Sequence, residues 1–159
     1  MSSVEHAEEL PQTWPGGELV TVDSIEAYAE DARLVAEAPL DKGKLLTPDD
    51  VVKELEVVSK HAARMVRVIH EAEEFKRRAA TRLERAKATA RRANAGLPPA
   101  QQTAAVVLAT VEEKDAWDDA VTAFEYARRV GNLMKDYTGR VQSIGKQMEL
   151  MYAKGPGRG

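Results

Sequence analysis

Apolar residues recur at heptad spacing along most of this chain. Thr47 is placed to cap a helix, Pro48 to occupy its first turn, and Asp49 and Asp50 to sit at the positive end of its dipole. From Val51 the positions Leu55, Val58, Ala62, Met65, Ile69, Ala72, Lys76, Ala79, Leu83, Ala86, Ala90 and Ala93 follow in alternating steps of four and three, and only Lys76 is not apolar. Gly96-Leu97-Pro98-Pro99 ends the run. A second run comprises Val106, Ala109, Glu113, Ala116, Ala120, Ala123, Ala127, Val130, Met134, Tyr137, Val141, Ile144, Met148 and Met151, with Glu113 its one polar member. Heptads sustained this far predict two coiled-coil-like helices, over 48–95 and 99–153. The short hinge turns the second helix back along the first. The expected fold is therefore all-α: a long antiparallel helical hairpin about 70 Å in length, in which facing residue numbers sum to about 195.

A shorter helix is predicted at 23–36. Asp23 and Glu26 have capping-box spacing, and Ile25, Tyr28, Ala29 and Ala32 share one face. Pro39 and Gly43 end it. Residues 1–17 contain two prolines and a Gly-Gly pair and read as a flexible arm with Trp14 as its one adhesive residue. Residues 155–159 read as a disordered tail, which leaves 18–154 as one helical domain.

The flanks of the hairpin carry further information. On one flank Glu54 faces Arg140 and Arg82 faces Glu112, so ion pairs are expected to fix the register. On the other, Val52, Ser59 and Val66 oppose Gly145, Thr138 and Gly131. These small residues predict a groove about 21 Å long, matched to the 23–36 helix, which is expected to dock there. The first flank keeps an apolar patch, Val68, Phe75, Tyr126 and Leu133. With the short helix placed elsewhere, this patch is the expected partner-binding surface, and self-pairing across it predicts a homodimer.

Composition narrows the chemistry. There is no cysteine, and His6, His61 and His70 are the only histidines. No nucleophile elbow and no Gly-rich phosphate loop ahead of a helix is present. His70 and Glu74 share one helical turn, but as part of a solvated polar face. No catalytic residue, metal or cofactor is expected. No apolar run approaches the ~20 residues of a membrane helix, and MSSVEHAEEL lacks a signal-peptide core, so the expectation is a cytoplasmic protein without membrane contact.

Charge is uneven: residues 1–46 carry ten acids and three bases, 47–95 eight and twelve, 96–159 eight of each. The bases concentrate in Lys76, Arg77, Arg78, Arg82, Arg85, Lys87, Arg91 and Arg92. Such a stretch can track a phosphate backbone, making direct nucleic-acid binding the alternative function. The facing acids from Glu112 to Asp119 oppose it, and no aromatic residues interleave to stack bases.

Three segments invite comparison with known families. Gln147-Met148-Glu149-Leu150-Met151 loosely resembles the bacterial sliding-clamp-binding pentapeptide but lacks its aromatic anchor, and Met148 and Met151 belong to the heptad core. The Trp-x-Gly turn of secreted mycobacterial hairpins is absent from the 96–99 hinge. The region from Lys76 to Tyr152, with ARRANAGLPPAQQTA, EEKDAWDDAVTAFEYARR and DYTGRVQSIGKQM, resembles small helical-hairpin proteins of actinobacterial tailed phages. That resemblance covers about half the chain and rests on composition. It implies a phage accessory protein in the host cytoplasm, in DNA replication or recombination, and nothing catalytic. The combined expectation is a non-enzymatic scaffold or adaptor working through protein–protein contact.

Overall fold

The computed structural model describes residues 9–38, 40 and 46–155. Thr47 caps helix α2, Pro48–Ala93. Its hydroxyl accepts from Asp50 N at 3.2 Å, and the Asp50 carboxylate accepts from Thr47 N at 2.9 Å. This reciprocal pair satisfies two of the amides a helix start leaves open. Helix α1, Val22–Glu37, is capped in the same way by Thr21 and Ser24. The cap expected at Asp23 therefore lies two residues earlier. Asp23 sits inside the first turn, where its charge complements the dipole.

The second long helix is interrupted. Helix α3 spans Pro99–Ala109 and α4 spans Val111–Ala153. Between them Thr110 has φ −122° and ψ 20°, and its buried hydroxyl donates to Val106 O at 2.9 Å. A threonine bonded to the carbonyl four residues back bends a helix. Here packing does not oppose the bend: heptad positions Ala109 and Ala116 are exposed and Glu113 is polar.

Helices α2 and α4 pack antiparallel. Gly131 meets Ile69, Gly145 meets Val51, and Tyr137 reaches Glu54. These pairs sum to 200, 196 and 191, on either side of the expected 195. Side-chain fit sets this register, not the expected ion pairs. Glu54 accepts from Tyr137 Oη at 2.6 Å, and Arg140 lies over the same ring, 5.7 Å from its centroid. Arg82 lies beside Leu10 and Phe75 rather than Glu112. Arg33 with Glu30 and Glu37, Arg77 with Glu74, Lys87 with Glu84 and Lys114 with Asp118 all pair along their own helices.

Helix α1 packs against both α2 and α4, so the middle of the rod is three helices thick. Ile25 of α1, Met65 and Val68 of α2 and Met134 of α4 are fully buried there. Ala29 and Ala32, Ala72, and Ala123 and Ala127 are buried to within a percent of completely. Side chains this small let the three backbones approach closely. No helix of the described residues is long and apolar enough to cross a membrane.

Candidate interaction surfaces

The N-terminal segment is bound to α2. Thr13 and Leu19 form an isolated antiparallel bridge, with Pro15, Gly16 and Gly17 turning between them. Gly17 has φ +88°, a conformation open to glycine without strain. The turn delivers Trp14 into the core, 5% exposed. Its Nε1 donates to Ser24 Oγ at 3.0 Å, and its ring meets Tyr28 edge-on at 4.8 Å. Arg64 of α2 lies over the Tyr28 ring at 4.2 Å. Gln12 donates to the carbonyl of Glu71 at 2.9 Å and to its carboxylate at 2.6 Å, and Arg78 donates to Leu10 O at 2.7 Å. The expected flexible arm over 1–17 is thus, from Glu9 onward, a strap held on α2. Residues 1–8, and 156–159 of the expected tail, lie outside the described residues. Trp14-Pro15-Gly16-Gly17 followed by apolar Leu19 and Val20 was the available signal for this turn.

Helix α1 and the strap cover the flank expected to bind a partner. Val68 is 1% exposed, and Phe75, Tyr126 and Leu133 are half-buried against the core. Tyr126 Oη donates to Glu30 of α1 at 2.5 Å, and Glu30 also pairs with Arg33. The Arg33 hydrogen bond, followed by that from Tyr126, lowers the Glu30 carboxyl from 4.5 to about 2. Burial and the Glu30 contact raise the Tyr126 phenol in turn. Val68, Phe75, Tyr126 and Leu133 are therefore intrachain packing residues, and the homodimer expected across them loses its surface.

The docking groove expected on the opposite flank does not hold α1. Val52 and Val66 are 54% and 72% exposed, and Ser59 is exposed too. Thr138 donates to Met134 O at 2.7 Å along its own helix. The glycines serve the hairpin itself: a Cβ on Gly131 would stand 2.5 Å from Ile69 Cδ1, and one on Gly145 would stand 3.4 Å from Val51 Cγ1. Close approach of α2, not of α1, explains them.

The basic stretch divides. Lys76 Nζ lies over the Phe124 ring at 3.8 Å. Arg77 and Arg78 pair with Glu74, and Lys87 pairs with Glu84. Arg82, Arg85, Arg91 and Arg92 are exposed and make no ion pair among the described residues. Of the acids beyond the hinge, Asp118 pairs with Lys114 of its own helix, and among the described residues none forms an ion pair with these arginines.

At the hinge end the surface changes character. No ionisable residue lies between Arg92 and Glu112, in a chain that is 31% charged. Leu97, Val107, Leu108 and Val111 there are 41%, 61%, 76% and 46% exposed. Only Val106 of α3 is buried, against α2. Counting heptad positions hid this surface, because Val107 and Leu108 fall beside the core position Val106 and read as its neighbours. Among the described residues no group of three or more metal-ligating side chains forms. No family model matches the chain, and no curated protein or solved structure is significantly similar to it.

Proposed function

We propose that this protein is a non-enzymatic helical adaptor that acts by protein–protein contact at its hinge end. One observation carries the reading: the exposed apolar surface of Leu97, Val107, Leu108 and Val111 within a stretch free of charge. Apolar patches of this kind on an otherwise charged rod mark contact surfaces. Elsewhere the groups that could support chemistry hold the helices together: Glu30 with Arg33 and Tyr126, and Glu54 with Tyr137. By the resemblance to phage hairpin proteins, the setting is replication or recombination of phage DNA in the host cytoplasm. The second reading is direct nucleic-acid binding, and the exposed Arg82, Arg85, Arg91 and Arg92, which have no ion-pair partner among the described residues, favour it.

Two variants separate these readings. Crosslinking in cells is expected to retain a partner protein with the wild type and with a variant changing those four arginines to Glu, and to lose it with Val107→Glu/Leu108→Glu. DNA affinity that is steeply salt-dependent, abolished by the arginine variant and untouched by the hinge variant would transfer the function to nucleic acid.

A further inference from the structure

Helix geometry sorts the bases crowded into 76–92. Arg78, Arg82, Arg85 and Arg92 recur at steps of four, three and seven, which sets them in one row along α2 with Thr89. No acid falls in this row between Arg78 and Arg92. At 3.6 residues per turn, Arg77 and Arg91 are each turned about 100° from it, and Lys87 lies farther round. Arg82, Arg85, Thr89 and Arg92 are exposed, and their three guanidiniums have no ion-pair partner among the described residues. Off the row, Arg77 pairs with Glu74 and Lys87 with Glu84. The foot of the row shows what it accepts. The strap climbs α2 toward the hinge, with Gln12 at Glu71 and Leu10 at Arg78. Arg78 donates to Leu10 O at 2.7 Å, and the Glu9 carboxylate stands 4.0 Å from its Nε. The row thus already holds oxygen atoms of one extended chain, and beyond Arg78 it continues exposed.

We propose that Arg82, Arg85 and Arg92 form a track for the phosphate backbone of duplex nucleic acid. The inference rests on the second reading and names the face and the partner; the hinge-end surface takes no part in it. Three features select this partner. From Arg78 to Arg92 the helix rises about 21 Å, alongside about six phosphates of one strand at ~3.4 Å each. Each guanidinium presents a fork that fits a phosphate. Between Arg78 and Arg92 the row contains no apolar side chain, whereas protein interfaces are built around an apolar centre. It contains no aromatic ring either, so unpaired bases find nothing to stack on, and a duplex offers the denser charge. Contacts to phosphates alone carry no base information, so the binding is independent of sequence.

Fluorescence anisotropy of the full chain with a DNA duplex of about 20 base pairs, from roughly 50 to 200 mM salt, tests this. The expected log–log salt slope is about −2.7, for three phosphates contacted. Two variants carry the same change of charge on different faces: Arg82→Glu/Arg85→Glu in the row, and Arg77→Glu/Lys87→Glu off it. The first should lose roughly tenfold or more in affinity and flatten the slope by about 1.8, and the second should lose no more than roughly threefold. Arg82 and Arg85 are exposed, so their variant folds, which an unchanged helical melting curve verifies. Equal losses from the two variants overturn the track and leave nucleic-acid binding standing. Tighter binding to a single strand of the same length, or equal binding to poly-glutamate of matched charge, overturns the duplex as partner. Absence of salt-dependent binding to either form of DNA defeats the second reading, and the inference with it.

Discussion

Helix α1 carries Asp23, Glu26, Glu30, Asp31, Arg33 and Glu37 among its sixteen residues, yet its Ile25, Ala29 and Ala32 are 0–1% exposed. Helix α3 has no charged residue among its eleven, yet Val107 and Leu108 remain 61% and 76% exposed. Apolar content does not decide burial in this molecule; a matching second surface does. The α1 stripe of Ile25, Ala29, Ala32 and Ala36 is narrow and regular, and it meets a seam edged by the buried alanines Ala123 and Ala127. Among the described residues, helix α3 packs chiefly on α2, and its opposite side is exposed. The middle of the rod buries its apolar residues, and the hinge end leaves Val107 and Leu108 exposed.

Truncating side chains in the two regions gives the largest expected contrast. Ile25→Ala should cost about 2–5 kcal/mol in urea unfolding, because it opens a cavity among three helices. Leu108→Ala should change stability by no more than about 0.5 kcal/mol when measured at low concentration. Equal losses at both sites would erase the distinction.

A smaller effect tests the hydrogen bonds that tie the helices. Tyr137→Phe keeps the buried ring but removes the 2.6 Å bond to Glu54, and should cost about 1 kcal/mol. Burial and the neighbouring Glu54 also push the Tyr137 phenol above its usual 10. Its folded form thus favours the protonated state. That contribution is complete below pH 10 and is lost as pH rises further. The stability gap between wild type and Tyr137→Phe should narrow in alkali.

Glycine substitutions sharpen the view of close contact. A Cβ on Gly139 meets nothing within 4 Å, so Gly139→Ala should stabilise α4 by about 0.5–1 kcal/mol through helix propensity. Gly131→Ala must displace Ile69 and should gain less or lose. Thermal melts that rank the two the other way would contradict the packing.

The smallest effect concerns the exposed end of the α1 dock. Glu30 is held at about 2 against its ordinary 4.5, chiefly by Arg33. Its contribution is full above pH 4.5 and falls away as pH drops toward 2. The stability difference between wild type and Glu30→Gln should therefore shrink over that interval, and a difference constant with pH would refute the assignment.

The sequence by itself determined the two long antiparallel runs, the α2 cap at Thr47 and the register near 195. Repeated three–four spacing has one low-energy outcome, since any slip would turn Met65, Val130 or Val141 out of the core. Only the tertiary structure decided which flank α1 takes. Both flanks offered apolar residues at matching spacing, and periodicity ranks them equally. The choice came from contacts between residues distant in sequence: Tyr126 reaching Glu30, Trp14 turned inward at Gly17 to meet Ser24, and α2 closing on Gly131 and Gly145. The bend at Thr110 was decided in the same way. Heptad counting is indifferent to a threonine there, but its hydroxyl bends the chain wherever packing on the next turn is too weak to hold it straight.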